Sequence, residues 1–419
     1  MDSVVLLHLL HPLATRFGWR LSALHVHHGI SSNADAWADF CTGLCARNDI
    51  PLLIERVNID LLRADHGIEA AARKLRQASF AAQDCDFVAL AHHADDQAET
   101  LLLQLLRGAG IKGVAAMPVL SKVEGPLLKP TVAPAHPILR PLLDIPRSTL
   151  LDYARQHGLK WVEDESNADD NFPRNFLRHR LLPLLEQRFP AYRHTLTRGA
   201  QHFAEASELL DELARLDAKE LGETSTLEVS ALSSLSRIRA KNLLRYFLHT
   251  QAAPMPQSVQ LDEMLQQLLT AREDAAVCVE FGGWQVRRFQ SKVYVLPVLD
   301  DIEAGLVVPW YGEAQLQWPV NNKVVTFVLV KGEGISSEKL KDEPVTLRLR
   351  SGGESLRPHL SAATRSLKNL LQENRIPPWQ RERVPLLYCG EKLVSVVGVA
   401  TSAEYQAQAN EEGVLVSCE

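Results

Sequence analysis

No run of apolar residues in this 419-residue chain approaches the ~20 needed to span a bilayer as a helix. Nothing at the start reads as a signal peptide either. Asp2 comes at once, no basic segment precedes Val4-Val5-Leu6-Leu7, and no small-residue cleavage site follows. The cytoplasm is therefore the expected compartment, with no membrane partner. Cysteine is sparse and scattered, at positions 41, 45, 85, 278, 389 and 418, which fits neither a disulfide framework nor a zinc site. Only Cys41 and Cys45 are close together. With Trp37, Phe40 and Leu44 they follow the i, i+3, i+4, i+7, i+8 spacing of a packed helix face, so core packing is expected there and no metal site. Repeats and low-complexity tracts are absent.

What is present is the composition of a globular protein: 46% hydrophobic and 23% charged residues. The length implies two or three domains. A net charge of −6 weighs against a nucleic-acid partner, but local charge decides more than the total. From Arg174 to Arg198 six arginines face one acid, Glu186, and from Arg348 to Arg383 seven arginines and Lys368 face three acids. Two such stretches in an acidic protein point to an anionic partner.

The first ~110 residues alternate in type. Helices are expected over 4–13, 34–47, 68–82 and 94–107, and strands over 21–26, 52–57 and 87–91. Strands alternating with helices of this length imply a doubly wound parallel α/β sheet, with ligands at the carboxyl ends of its strands. A proline-rich stretch, 118–146, reads as an irregular excursion. Helices resume at 147–157 and 174–185, and 200–272 has the periodicity of a small helical bundle. Residues 277–296 read as a hairpin turning at Gly282-Gly283. From Val345 short strands surround a helix at 366–373. The resulting division is an α/β domain at 1–195, a mainly helical domain at 196–300 and a small α+β domain at 340–419.

Three segments carry chemistry. In Leu90-Ala-His-His-Ala-Asp-Asp-Gln-Ala-Glu-Thr100 a strand runs into a helix whose buried face is expected to be Leu101, Leu102, Leu105 and Leu106. His92, Asp96 and Glu99 then fall at the carboxyl edge of the sheet, the two acids one turn apart. Complementing the helix dipole accounts for Asp95 but poorly for the whole cluster. In Leu24-His-Val-His-His-Gly-Ile30 a strand ends on His27 and His28, and Gly29 allows a tight turn. Neighbouring strand residues point apart, so phosphate or base contact suits these histidines better than metal chelation. In 161–178, Arg174 and Arg178 share a helix face and can grip a phosphate as a pair, with an asparagine beside them to read a base edge. Ser351-Gly-Gly-Glu-Ser355 has the look of a phosphate loop, but Arg357-Pro358 stops any helix behind it, so a turn is expected.

Taken together, Asp2-Ser3 before an apolar helix, His-Val-His-His-Gly, Ala-His-His-Ala-Asp-Asp-Gln-Ala-Glu-Thr and Arg-Gly-Ala-Gly resemble the lysidine synthetase branch of the PP-loop ATP pyrophosphatases, an adenine nucleotide alpha hydrolase-like fold. Leu139-Arg-Pro-Leu-Leu143, Glu163-Asp-Glu-Ser-Asn167 and Arg174-Asn-Phe-Leu-Arg178 continue the match in order. Arg365 to Glu373 and Pro377 to Pro385 resemble the family's acceptor-stem-binding module. The likeness covers nearly the whole chain.

The resemblance implies an ATP-dependent carbon–nitrogen ligase that joins free L-lysine to C2 of the wobble cytidine of a tRNA(Ile) with a CAU anticodon. ATP adenylates the C2 oxygen with loss of pyrophosphate, and the lysine ε-amine then displaces AMP. Attack at an α-phosphate needs cations spread over the triphosphate, so Mg²⁺ is expected. By the same resemblance His92, Asp96 and Glu99 line the lysine and nucleotide site, the two carboxylates holding lysine's ammonium groups. Asp2, Ser3 and His28 lie on the nucleotide. Arg140, Asn167, Arg174, Asn175 and Arg178 contact ATP or the cytidine, and Arg73 occupies a further family position. The family loop is Ser-Gly-Gly-x-Asp-Ser after the first strand, and Met1 stands at its x. The resemblance therefore implies a strand and Ser-Gly-Gly upstream of Met1, with a catalytically impaired tRNA-binding remnant as the alternative. A PP-loop tRNA thiolase, the other enzyme reading, would use cysteine pairs that are not suitably placed here. Monomer and homodimer both remain open.

Overall fold

The computed structural model describes residues 1–59, 68–122, 136–218, 225–272, 275–303, 305–320, 323–359, 361 and 363–418. Its contacts divide the chain into two compact units, Met1–Leu213 and Ala214–Glu419. Part of the proline-rich excursion, 123–135, lies outside the described residues, as does 219–224 within the expected helical bundle.

The first unit opens with α1 (Asp2–Phe17), longer than expected at both ends and closed by Gly18, whose φ of 70° and N–H to Ala14 O form its cap. Then come β1 (Ala23–His27), α2 (Ala34–Arg47) and β2 (Leu52–Arg56), with β1 and β2 parallel in the register Ala23↔Leu52 to His27↔Arg56. After α3 (Ile68–Ala81), β3 (Val88–Ala89) leads into α4 (Ala94–Leu106) and the short α5 (Ile111–Val114). Strand β4 (Leu120–Lys122) pairs antiparallel with β5 (Pro137–Leu139), and β5 runs parallel to β3. The parallel α/β connection is thus present, but as two parallel pairs rather than one continuous sheet among the described residues. Helix α6 (Arg147–Gln156) packs on α1 through Val5, Leu6, Leu150 and Ala154.

The expected helix at 174–185 is three pieces: α7 (Pro173–Phe176), a π-helical turn over Leu177–Leu181, and α8 (Leu182–Arg188). Helix α9 (Tyr192–Asp217) follows. The buried face of α4 also differs from expectation. Ala94, Gln97, Ala98, Glu99 and Leu101 are buried, whereas Leu105 and Leu106 are exposed. Small residues at 94 and 98 let α8 and α9 approach: Ala98 packs with Leu182 and Tyr192, and Leu101 with Ala200. Gln97 is tolerated inside because its amide both donates to Met117 O and accepts from Met117 N, each at 2.8 Å.

In the second unit β6 (Thr226–Glu228) interrupts the run expected to be helical. After α10 (Val229–Ser233), α11 (Arg237–Thr250) and α12 (Ser258–Thr270) come β7 (Cys278–Phe281), β8 (Trp284–Phe289) and β9 (Lys292–Pro297), in the antiparallel order β6-β9-β8-β7. The hairpin at Gly282-Gly283 is as read from the sequence. Leu243, Leu244, Leu248, Leu261, Met264, Leu265 and Leu268 form the core between the helices and this sheet.

Two further sheets follow. One has the order β10 (Val307–Trp310), β14 (Val345–Arg348), β17 (Leu386–Cys389), β18 (Lys392–Val396), β19 (Ala400–Thr401). The other has the order β11 (Gln315–Trp318), β12 (Lys323–Lys331), β20 (Glu412–Cys418), β13 (Ile335–Ser336). Because β10 and β12 pair with β14 and β20, this β-rich part draws on residues from Val307 onward, well before 340. A small hairpin, β15 (Ser355–Leu356) with β16 (Arg365–Ser366), precedes α13 (Leu367–Glu373) and α14 (Pro378–Arg381). Ser351-Gly-Gly-Glu354 is a turn: the Glu354 carboxylate accepts from the N–H groups of Ser351 and Gly352 and from the Ser351 hydroxyl.

At Gly413 the strands β12 and β13 both pair with β20, and a Cβ there would fall 1.8 Å from Glu333 O. Backbone cannot yield as a flexible side chain can, so Gly413→Ala is expected to cost about 2–4 kcal/mol. Urea unfolding of the full chain measures this, and an unchanged midpoint would rule the explanation out.

Candidate active site

The first turn of α4 builds the site. His93 is the N-cap: its Nδ1 accepts from Asp96 N at 3.3 Å, and Asp96 Oδ2 accepts from His93 N at 3.1 Å, the reciprocal pattern of a capping box. One turn on, Glu99 is 0% exposed. A carboxylate so buried survives only if fully paired, and two arginines pair it. Arg174 Nε donates to Glu99 Oε2 at 2.8 Å, Arg178 Nε to Oε1 at 2.7 Å and Arg178 Nη2 to Oε2 at 3.0 Å. Arg178 Nη2 also donates to Asp96 Oδ1 at 3.3 Å, and Arg174 Nη2 to Thr100 Oγ1 at 3.1 Å. The π turn that holds Arg178 sets it beside Arg174 so that both meet one carboxylate; π turns are rare and concentrate at functional sites.

His92 is half-buried beside this group, and its Nδ1 has no hydrogen-bond partner. Burial is the main cause that lowers its pKa to about 4, aided by Arg140, Arg174 and Arg76 and opposed by Asp96. Burial and Arg76 likewise lower the pKa of His28, whose Nδ1 is also without a partner. Burial and the nearby Arg73 lower that of Arg140, whose Nη1 donates to Pro118 O at 2.9 Å and Ser121 Oγ at 3.0 Å. Asp2, in the first turn of α1, has a buried Oδ1 that accepts nothing and lies 3.8 Å from His93 Nε2. The site therefore interleaves guanidinium groups with carboxylates, Arg174 and Arg178 meeting Glu99 and Asp96 directly.

The structure brings Asp2, His92, Asp96, Glu99, Arg174 and Arg178 together, sets Arg140 electrostatically beside His92 and Arg73 beside Arg140, and sets His28 beside Arg76, which also acts on His92. Ser3 is exposed on α1, and Asn167 is exposed on a 3-10 turn over Glu165–Ala168. Asn175 serves differently from the sequence expectation. It is 8% exposed, and its Nδ2 donates to Ser166 O at 2.8 Å and Asp169 O at 2.9 Å. Its donors are spent on holding that turn.

Asp95 does more than complement the helix dipole. Its Oδ2 accepts from Arg147 N at 2.8 Å and its Oδ1 from Arg193 Nε at 2.6 Å, so it ties α4 to α6 and α9. Burial alone would raise its pKa, but these two donors hold it below the ordinary range. The sequence signal was only the position next to Asp96. Among the described residues no group of three or more His, Cys, Asp or Glu side chains could hold a metal ion. No helix there is long and apolar enough to cross a membrane.

This α/β site is the working part of a PP-loop protein: residues 1–185 match the PP-loop domain model. Residues 227–294 match the TilS substrate binding domain and 345–418 the TilS substrate C-terminal domain. The tRNA(Ile)-lysidine synthase of Nitrosomonas europaea is 43% identical, covering 100% of this chain and 89% of the relative. That of Coxiella burnetii is 38% identical, covering 99% and 90%. The U34-tRNA thiolase NcsA of Methanococcus maripaludis, a solved structure, aligns at 20% identity and a TM-score of 0.38 over 49% of this chain and 69% of that one. The chain belongs to the tRNA(Ile)-lysidine synthase family, tRNA-modifying ligases with a PP-loop ATP-binding domain. The alternative of a tRNA-binding remnant finds no support in these relatives.

Two outcomes follow. Glu99→Gln leaves two arginines, each about 30% exposed at the side chain, facing a neutral group. It is expected to cost about 3–5 kcal/mol, and thermal unfolding at the wild-type level would exclude this account. For His92, the folded ring stays neutral down to about pH 4 while the unfolded ring titrates near 6.5. The unfolded state thus binds the extra proton, and stability falls as pH drops from 6.5 to 4. In His92→Gln the stability lost between pH 7 and 4.5 should be smaller; equal losses in both proteins would refute the assignment.

Proposed function

We propose that this chain ligates free L-lysine to C2 of the wobble cytidine in a tRNA(Ile) with a CAU anticodon, shifting its reading from AUG to AUA and its identity from methionine to isoleucine. The observation that carries the reading is one site that gathers carboxylates and guanidinium groups, in a chain that matches the family along its whole length. Lysine brings a cation, and ATP and RNA bring anions. In the first half-reaction the cytosine C2 oxygen attacks the α-phosphorus of ATP and pyrophosphate leaves. In the second the lysine ε-amine attacks C2 and AMP departs with that oxygen.

The residues divide this work. Arg140, Arg73 and His28 are the groups suited to the triphosphate, Arg140 and Arg73 by charge and His28 by an Nδ1 without a partner. Asp2 would hold Mg²⁺ through the buried Oδ1 that accepts no hydrogen bond, and the ion would neutralise charge on the triphosphate. His92 stays neutral near pH 7 and so can accept or donate a hydrogen bond without adding charge. Glu99, saturated by Arg174 and Arg178, holds the two guanidinium groups in place; each has five N–H donors, and those that remain can meet phosphate or the base. Asp96 is the carboxylate with capacity left for lysine's ammonium. The wobble base must leave its stack to reach such a site, and unpaired anticodon bases are the kind that proteins read specifically. All the reactants are cytoplasmic, where the enzyme is expected to act.

The test is incubation with ATP, Mg²⁺, radiolabelled lysine and the tRNA bearing a wobble cytidine. Lysine incorporation supports the ligase, and tRNA binding without incorporation counts against it. Asp96→Asn is expected to lower incorporation by about 10²-fold or more with tRNA affinity unchanged. Equal activity would remove Asp96 from the lysine site.

A further inference from the structure

His93 is 2% exposed, yet none of the chemistry above uses it. Helix N-caps are usually Ser, Thr, Asp or Asn, whose short side chains satisfy one backbone N–H. An imidazole does that and has a second nitrogen to place. Here Nδ1 accepts from Asp96 N at 3.3 Å, which leaves Nε2 as the ring nitrogen able to donate. Nε2 in turn lies 3.4 Å from Asp96 Oδ2 and 3.8 Å from Asp2 Oδ1. Asp96 Oδ2 therefore accepts a hydrogen bond from the His93 backbone N–H at 3.1 Å, with the His93 ring in electrostatic contact beside it. With Oδ2 so held, Asp96 turns Oδ1 toward Arg178.

We propose that His93 is a positioning residue for the ligase reaction: it fixes the rotation of the Asp96 carboxylate that meets the incoming lysine. This rests on the ligase reading and on Asp96 as the lysine-binding carboxylate. His93→Asn separates the two jobs, because asparagine is a good N-cap but has no nitrogen at the Nε2 position. The helix is kept and only the carboxylate is freed to rotate.

In steady-state assays with the full chain, His93→Asn should raise KM for lysine about tenfold, while kcat at saturating lysine and KM for ATP stay within about twofold. An unchanged lysine KM, or kcat and both KM values moving together as general loosening would move them, overturns the proposal. Should the variant fail to fold, ¹⁵N NMR of the wild-type ring decides independently: a neutral ring protonated on Nε2 is required, and a proton on Nδ1 overturns it. Wild-type protein that incorporates no lysine would reject the ligase reading instead, and the NMR result would still decide the ring geometry.

Discussion

The order of the first unit's site depends on one buried carboxylate. Glu99 sits at zero exposure inside α4, where an unpaired charge would cost several kcal/mol. Its two arginines come from a segment that a regular helix would not hold in the same way. The π turn at 177–181 brings Arg178 to the carboxylate beside Arg174, Asn175 clamps the preceding turn, and Arg178 reaches on to Asp96. Further along, Arg193 joins Asp95 to Glu186. Most of the cationic excess between 174 and 198 is thus spent within the protein. A linear count of charges reads such a stretch as a surface for nucleic acid, although much of it neutralises acids distant in sequence.

How much could be read in advance follows from how local each feature is. The bounds of α2 and the start of α4 follow from periodicity and capping within a dozen residues, and the hairpin at Gly282-Gly283 from turn chemistry. Leu105 and Leu106 misled because an apolar repeat indicates a buried face without saying where the covering element stops; α8 and α9 cover the Ala94–Ala98–Leu101 side. Strand β6 depends on pairing with β9, some sixty residues on, and β10 on pairing with β14. No window around either strand contains its partner.

The site shows the same split. Asp96, Glu99, Arg174 and Arg178 were legible as chemistry because acids one turn apart and arginines one turn apart are unusual near a sheet edge. Their assembly into one pair-bonded group was not, since 75 residues separate Glu99 from Arg174. His93 and Asp95 were hidden for the opposite reason. A cap and a dipole partner explain them locally, and nothing local shows that the same atoms also reach Asp96, Arg147 and Arg193.

Two carboxylates show how burial separates a structural anion from a site. Glu354 fills the nest of N–H groups in its own Ser-Gly-Gly turn, so that loop, however much it resembles a phosphate cradle, already contains its anion. Asp2 is the reverse case. Its Oδ1 is buried and accepts no hydrogen bond, and His28 Nδ1, His92 Nδ1 and Arg140 Nε share that condition. Each unmet group costs about 1–3 kcal/mol in a folded protein. Spread through a core they would be defects. Asp2 and His92 lie within the candidate site, where such unmet acceptors and donors are the kind of group that a bound cation or phosphate chain satisfies.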